Sequence, residues 1–188
     1  MALFVGSASA TGTYNNIVQI ENSNSAVPAV RTSADLTFDT GTAAVSNANL
    51  AYSESSNCTG CRTVAVAVQA VVIEGMPSAI TPQNAALAIN NNCQSCMTFA
   101  YAQQYVFSPE HPVMIGRATT AKLAALQAAM HGVAASGESF PTMNSQLNDL
   151  SWLYCEAVQV AIQNSGPNPG PPVCGAPPFD NLQVQTSS

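Results

Sequence analysis

A twelve-residue pattern occurs twice in this chain and constrains its fold more than any other feature. Residues 58–69 read CTGCRTVAVAVQ, and residues 93–104 read CQSCMTFAYAQQ. Both fit C-x-x-C-x-T-x-A-x-A-x-Q, in which two cysteines precede an alternating run. Alternation with a period of two is typical of a β-strand. The sequence therefore predicts two copies of one cysteine-bearing β unit, at residues 47–73 and 84–107, which begin at Asn47 and Asn84.

The stretches around the cysteine pairs predict a mainly β core. Residues 63–73, TVAVAVQAVVI, are rich in β-branched residues and predict a strand that is covered on both faces. Residues 98–107 predict its counterpart, and YNNIVQIEN and ADLTFDT predict two more strands. The N-A-x-L-A stretch and polar loop before each CxxC favour a β-hairpin with the CxxC near its tip. Because only two copies are apparent, we expect a duplication and not a solenoid, which needs three or more repeats.

The pattern changes from strand to helix after residue 112. Residues 119–135 and 145–164 carry apolar residues at helical spacing, and the second helix is expected to be capped by Asn144 or Ser145. Two helices with a short connection predict a helical hairpin laid on the sheet. The expected fold class is α+β: a mainly antiparallel, sandwich-like β core with duplicated CxxC hairpins, a C-terminal helical hairpin and extended terminal arms.

The two ends of the chain predict contacts between subunits. We expect one domain over residues 13–166, an N-terminal arm over 1–12 and a Pro-rich C-terminal arm over 167–188. Each arm contains a short stretch that can form a strand, and terminal strands can join subunits by strand addition. The predicted assembly residues of the arms are Ala2, Leu3, Phe4, Val5, Phe179, Leu182 and Val184.

The chain has six cysteines and few charged residues, which favours disulfides and an extracellular or cell-surface location. We predict disulfides and no bound metal. The pairing that we favour is Cys58–Cys61, Cys93–Cys96 and Cys155–Cys174, with a cross-pairing such as Cys58 with Cys96 as its rival.

Two other uses of the CxxC pairs are less consistent with the sequence. Four thiolates can hold zinc, but the gap between Cys61 and Cys93 is longer than that of common zinc ribbons. A thiol–disulfide catalyst has its CxxC at the start of a helix, whereas these pairs precede predicted strands.

Composition and missing motifs exclude several functions. Only 7% of residues are charged, four are Lys or Arg, and the net charge is −6. Nucleic-acid binding requires clustered cations, so we expect no nucleic-acid partner. No apolar run approaches the roughly 18 to 20 residues that span a bilayer, so we expect no membrane insertion. His111 and His131 lie outside any HExxH motif, and no G-x-S-x-G or P-loop is present, so we expect no enzyme, catalytic residue or cofactor.

The stretches CTGCRTVAVAVQ, PQNAALAIN and CQSCMTFAYAQQYV resemble a group of small secreted proteins from actinobacteria and their relatives. The resemblance covers residues 47–107, which is about a third of the chain. It implies a secreted fold that carries a repeat. Some of these proteins are labelled as peptide zinc metalloproteases, but the residues of a zinc protease are missing from this sequence, so the resemblance implies no such activity.

These features together predict a secreted or cell-surface structural protein that self-assembles into a fibre or layer. Its partners would be copies of itself, joined by terminal-strand addition and stabilised by disulfides. Low surface charge favours this function, because it removes a repulsion between identical subunits. The alternatives are a monomeric secreted binding or adhesin module that uses the polar loops 53–57 and 90–92, and a zinc-binding domain with a four-cysteine site.

Overall fold

The computed structural model describes residues 12–25, 27–40, 44–75, 77–167, 170 and 172–175. The predicted assembly residues of both arms lie outside these ranges. Six strands precede two helices: β1 (Gly12–Asn22), β2 (Ala29–Asp39), β3 (Val45–Ser56), β4 (Arg62–Ile73), β5 (Ile80–Asn91), β6 (Met97–Phe107), α1 (Arg117–Ala135) and α2 (Phe140–Ser165).

The strands form two parallel sheets of three strands each. Sheet A has the order β1-β3-β5, and sheet B has the order β2-β4-β6. Consecutive strands alternate between the two sheets, so each successive pair of strands forms one coil of a three-coil stack. Positions 12, 45 and 80 align along sheet A, and positions 29, 63 and 98 align along sheet B. The chain is therefore α+β, with a parallel β core.

The antiparallel core and the CxxC hairpins predicted from the sequence are wrong. β3 pairs with β1 and β5, whereas β4 pairs with β2 and β6. Each CxxC lies in a bend that carries the chain from sheet A to sheet B. β1 and β2 also form a first coil without cysteines, so the duplication is part of a three-coil array. Parallel stacking is favoured because it places identical side chains of successive coils beside each other.

The register of the two units also differs from the alignment predicted from the sequence, in which Asn47 and Asn84 both begin a unit. Sheet A pairs Asn84 with Asn49, not with Asn47. A shift of two residues keeps every side chain on the same face, so alternation alone cannot reveal it. In the observed register each CxxC begins nine residues after its paired asparagine, at Cys58 and Cys93.

The repeated Thr, Ala and Gln side chains lie between the two sheets. The four alanines pack in a buried cluster with small residues of sheet A, and their size allows the sheets to approach closely. Gln104 donates from Nε2 to Oε1 of Gln69 at 2.8 Å, and Thr63 and Thr98 bond to the Ser55 hydroxyl. The cluster contains Val18, Ala51, Ala65, Ala67, Ala88, Ala100 and Ala102.

Three asparagines form a hydrogen-bonded ladder across the coils. Asn16 donates from Nδ2 to Oδ1 of Asn49 at 2.9 Å, and Asn49 donates in the same way to Asn84 at 2.8 Å. Each also donates to a main-chain carbonyl of sheet B, so the ladder joins the sheets as well as the coils. These acceptors are the carbonyls of Val68 for Asn16, Ala67 and Gln103 for Asn49, and Ala102 for Asn84.

The outer face of sheet B is covered by the helices. Its valines and aromatic residues pack against apolar residues of α1 and α2 in the largest buried cluster. This cluster includes Val64, Val66, Val68, Val72, Phe99, Tyr101, Phe107, Leu123, Met130, Met143, Leu147 and Val158. β4 is thus buried on both faces, as its run of β-branched residues predicts.

The second helix begins earlier than predicted. α2 starts at Phe140, and the predicted caps Asn144 and Ser145 lie inside it. The Ser139 hydroxyl instead accepts a hydrogen bond from the main-chain N–H of Thr142. Pro141 fits the first turn, because its missing N–H would have no helical partner there.

Asp35 of β2 occupies the position that glutamine occupies in β4 and β6. This carboxyl group makes the stability of the protein depend on pH. Asp35 pairs in register with Gln69, and burial raises its pKa. An acid with a raised pKa in the folded state favours folding at low pH, and this contribution is lost as the pH rises through that pKa. Asp35→Asn is therefore expected to stabilise the protein at pH 7, by less than about 1 kcal/mol because solvent screens this half-buried group.

Urea denaturation of Asp35→Asn at pH 7 and at pH 3 tests this sign. The gain should disappear at pH 3, where the aspartate of the parent protein is mainly protonated in both states. Asp149→Asn, on an exposed position of α2, controls for the loss of one carboxylate. An equal gain at both pH values would contradict the assigned cause.

Candidate functional site

The two CxxC bends lie directly beside each other in adjacent coils. Main-chain hydrogen bonds continue from the strands through both bends. They run from Asn57 N–H to Asn91 O (3.1 Å), Gly60 N–H to Gln94 O (2.8 Å), Gln94 N–H to Cys58 O (3.1 Å) and Met97 N–H to Cys61 O (2.8 Å). This continuous ladder fixes the relative position of the two cysteine pairs.

The bends share an unusual backbone conformation. The residue before each cysteine of both pairs has a positive φ: Asn57 (52°), Gly60 (67°), Asn92 (46°) and Ser95 (56°). Asparagine and glycine tolerate this left-handed region better than most residues. Asn92 also donates from Nδ2 to Oδ1 of Asn57 at 2.8 Å. The two bends are therefore structural copies that present their cysteines in the same direction.

The four cysteines of the bends form one sulfur cluster. Disulfides join Cys58 to Cys61 and Cys93 to Cys96, which are the pairs favoured from the sequence. Between the coils, Sγ of Cys58 lies 3.3 Å from Sγ of Cys93 and 3.8 Å from Sγ of Cys96. All four sulfurs lie within 4.8 Å of one another. Cys61 is buried and the other three are half-buried.

The chemistry of this sulfur cluster depends on its oxidation state. As two disulfides, each bond lies within one bend and leaves the coils without a covalent link. As four thiolates, the same atoms are ligands for a soft metal ion. The cross-pairing considered as a rival is not formed, although its sulfurs are in contact.

The third disulfide lies away from the cluster. Cys155 of α2 is joined to Cys174, with their Cα atoms 5.8 Å apart. The main-chain N–H groups of Val173 and Cys174 donate to Oε1 of Gln159, and Trp152 donates from Nε1 to the carbonyl of Gly175. These contacts attach residues 172–175 to α2, which is a structural role.

A polar cleft opens beside the sulfur cluster. Its volume is about 790 Å³, and amide side chains dominate its wall. It includes part of each polar loop that the sequence suggested for binding. The lining residues are Asn57, Cys58, Thr59, Asn90, Asn91, Asn92, Cys93 and Gln94.

No family model, curated protein or solved structure matches this chain. The sulfur cluster and the cleft are therefore interpreted from their own geometry, and the resemblance to secreted bacterial proteins stays a prediction. Among the helices that the structure describes, neither is both long and apolar enough to cross a membrane.

Comparison of the two repeated units within the sequence did not reveal the asparagine ladder or the first coil. The available signal was the recurrence of asparagine at positions 16, 49 and 84, a step close to the length of one coil. The first bend carries no cysteine. Asn22 stabilises this bend instead, because its Nδ2 donates to the carbonyl of Val27 in the same bend and to that of Arg62 in the next coil.

Proposed function

We propose that this protein is a secreted or cell-surface structural subunit that assembles with copies of itself by strand addition at the β5 end of the coil stack. The disulfides are compatible with a location outside the cytoplasm. The proposal assigns the chain no catalytic activity and no nucleic-acid partner.

The observation that carries this proposal is the open end of the stack at β5. Within the described residues, no strand pairs with the outer edge of β5. Asn49 is only 1% exposed, whereas Asn84, at the same position one coil later, is exposed. Side chains that lie between the two sheets, such as Asn84, are therefore exposed at this end of the stack, and an added strand would bury them.

The last coil has none of the charged side chains that usually prevent edge pairing, although β5 does contain one proline, Pro82. Natural sheet edges are commonly protected by charged side chains. Residues 80–107, which span β5, its bend and β6, contain no Asp, Glu, Lys or Arg. An incoming strand would therefore meet no charge on this coil.

The terminal arms supply suitable strands for this edge. Residues 2–5, ALFV, are apolar and include Phe and Val, which favour strands, and Phe179, Leu182 and Val184 belong to FDNLQVQ, which alternates like a short strand. In the proposed assembly, the N-terminal arm of one subunit adds in parallel to β5 of the next. Main-chain hydrogen bonds provide affinity, and the inward side chains fix the register.

Deletion of residues 1–11 is expected to abolish assembly and leave a folded monomer. Light scattering after size exclusion, under oxidising conditions, measures the mass of the full chain and of the deleted chain. Circular dichroism checks that the deleted chain is folded. The proposal fails if the full chain is monomeric at high concentration, or if the deleted chain assembles like the full chain.

A matched pair of lysine variants tests the edge itself. Asn84→Lys places a charge at the inner position of β5 and is expected to block the incoming strand. Gln83→Lys adds the same charge to the neighbouring exposed position, on the opposite face of the strand, and is expected to assemble normally. Equal assembly of the two variants would exclude the β5 edge as the junction.

The polar cleft favours a second candidate, a monomeric binding or adhesin module for carbohydrate. Its amide side chains can both donate to and accept from sugar hydroxyls. If the full chain is monomeric, binding to insoluble polysaccharide becomes the relevant measurement. Asn91→Ala, which removes an exposed amide from the cleft wall, should then weaken the binding, and unchanged binding would exclude the cleft.

A further inference from the structure

We propose that the reduced sulfur cluster is a tetrahedral zinc site that joins the second and third coils. Its ligands are the thiolates of Cys58, Cys61, Cys93 and Cys96. The inference is independent of self-assembly, because it concerns only residues within one chain.

The positions of the sulfurs carry this inference. A zinc ion with Zn–S bonds of about 2.3 Å holds its four sulfurs roughly 3.8 Å apart in a tetrahedron. The measured distances between coils, 3.3 Å for Cys58 to Cys93 and 3.8 Å for Cys58 to Cys96, are close to this value. Cys61 belongs to the same group, since all four sulfurs lie within 4.8 Å of one another.

The backbone is already arranged for four ligands. The Cα atoms are 6.2 Å apart in the first pair and 5.9 Å apart in the second, a separation at which rotation about χ1 can move the released sulfurs apart. The long gap between Cys61 and Cys93, which argued against a zinc ribbon, is one turn of the coil stack. The parallel register closes that gap through the bond from Met97 N–H to Cys61 O.

The chemistry requires a reductant, which we take to be a small dithiol. Each disulfide accepts two electrons and two protons from one dithiol, which leaves as a cyclic disulfide. The four thiols then bind one Zn²⁺ and release four protons. Reagents can approach from the cleft, whose wall includes Cys58 and Cys93.

The metal form differs from the disulfide form in what it connects. The two disulfides each close a short loop within one bend, whereas one zinc ion would connect both bends. A cross-link that closes a longer loop stabilises a fold more, because it removes more conformational freedom from the unfolded chain. The reduced protein is therefore expected to have a higher melting temperature with one equivalent of Zn²⁺ than without it.

The test uses a background variant, Cys155→Ala with Cys174→Ala, so that only the four cluster thiols remain. The protein is reduced with a dithiol, desalted without oxygen and titrated with Co²⁺. We expect one Co²⁺ per chain, with the absorption of a tetrahedral four-thiolate complex, and displacement by one equivalent of Zn²⁺. Adding Cys93→Ser and Cys96→Ser should abolish this spectrum and weaken Zn²⁺ binding at least about 100-fold.

Three results would overturn the proposal: no retained metal, one metal shared by two chains, or the same spectrum without Cys93 and Cys96. Reduction could also unfold the background variant. In that case one equivalent of Zn²⁺ should restore its native circular dichroism, and no such recovery should occur when Cys93 and Cys96 are replaced. Failure of zinc to restore the fold would likewise overturn the proposal.

Discussion

Replacement of Asn49 by leucine is expected to lower the free energy of unfolding by about 3 to 5 kcal/mol. Asn49 is the central member of the ladder and is buried, at 1% exposure. Its loss removes the acceptor of the Asn16 amide and a donor to Asn84. It also removes the donor to the carbonyls of Ala67 and Gln103. A buried polar group that loses its partner costs about 1 to 3 kcal/mol.

Asn47→Leu is the matched control for this prediction. Asn47 lies two residues earlier in β3 and is also buried, but neither polar atom of its side chain has a hydrogen-bond partner within the described part of the chain. Removing an unpaired buried amide eliminates a desolvation penalty, so this variant should be neutral or more stable by about 1 kcal/mol. Urea denaturation compares the two variants. A cost for Asn49→Leu no larger than that for Asn47→Leu would show that the ladder contributes little to stability.

Local chemistry predicted several elements because it determines them directly. The β-branched run at 63–73 corresponds to β4, since such residues suit a strand that is buried on both faces. The Ala-rich stretch at 119–135 corresponds to α1, which begins two residues earlier, at Arg117. The three disulfides match the favoured pairing. Two of them are local because each CxxC is confined to one tight bend, and the third joins α2 to the segment that follows it.

The pairing of strands was wrong because alternation carries no information about partners. The pattern at 98–107 shows which residues of β6 share a face, but parallel and antiparallel neighbours suit that arrangement equally well. What decides the topology is long-range: Asn16, Asn49 and Asn84 must align to bond to one another. This repeat was hard to recognise in the first coil for two reasons. The first coil has Asp35 where the second has Gln69, and its bend contains no cysteine.

The sequence favoured two separate cysteine pairs and considered the four cysteines as one group only in the less favoured zinc-binding alternative. The sequence shows that Cys58 and Cys61 are neighbours, and likewise Cys93 and Cys96. Their approach across the coils depends on the parallel register of β3 with β5 and of β4 with β6. A zinc ribbon brings its ligands together by a short connection, whereas here one complete coil does so. Spacing rules derived from ribbons therefore do not apply.

Replacement of Phe99 by alanine is expected to cost about 3 to 5 kcal/mol, because it leaves a cavity at the contact between sheet B and α2. Phe99 is fully buried, and its ring centroid lies 5.1 Å from that of Phe140, the first residue of α2. The Arg62 guanidinium lies 5.0 Å from the Phe140 ring centroid and donates to the carbonyl of Glu138. Since Arg62 follows Cys61, this contact also supports the bend that carries Cys58 and Cys61.

Met97→Ala is the control, because Met97 lies two residues earlier in β6 and is 49% exposed. It should change the free energy of unfolding by less than about 0.5 kcal/mol. Thermal and urea denaturation of both variants, with the disulfides intact, measure the difference. If Phe99→Ala is as mild as Met97→Ala, the helices do not depend on this contact. If it costs the expected amount, the start of α2 and the bend that carries Cys58 and Cys61 share one buried anchor, and loosening that anchor should also make those cysteines easier to reduce.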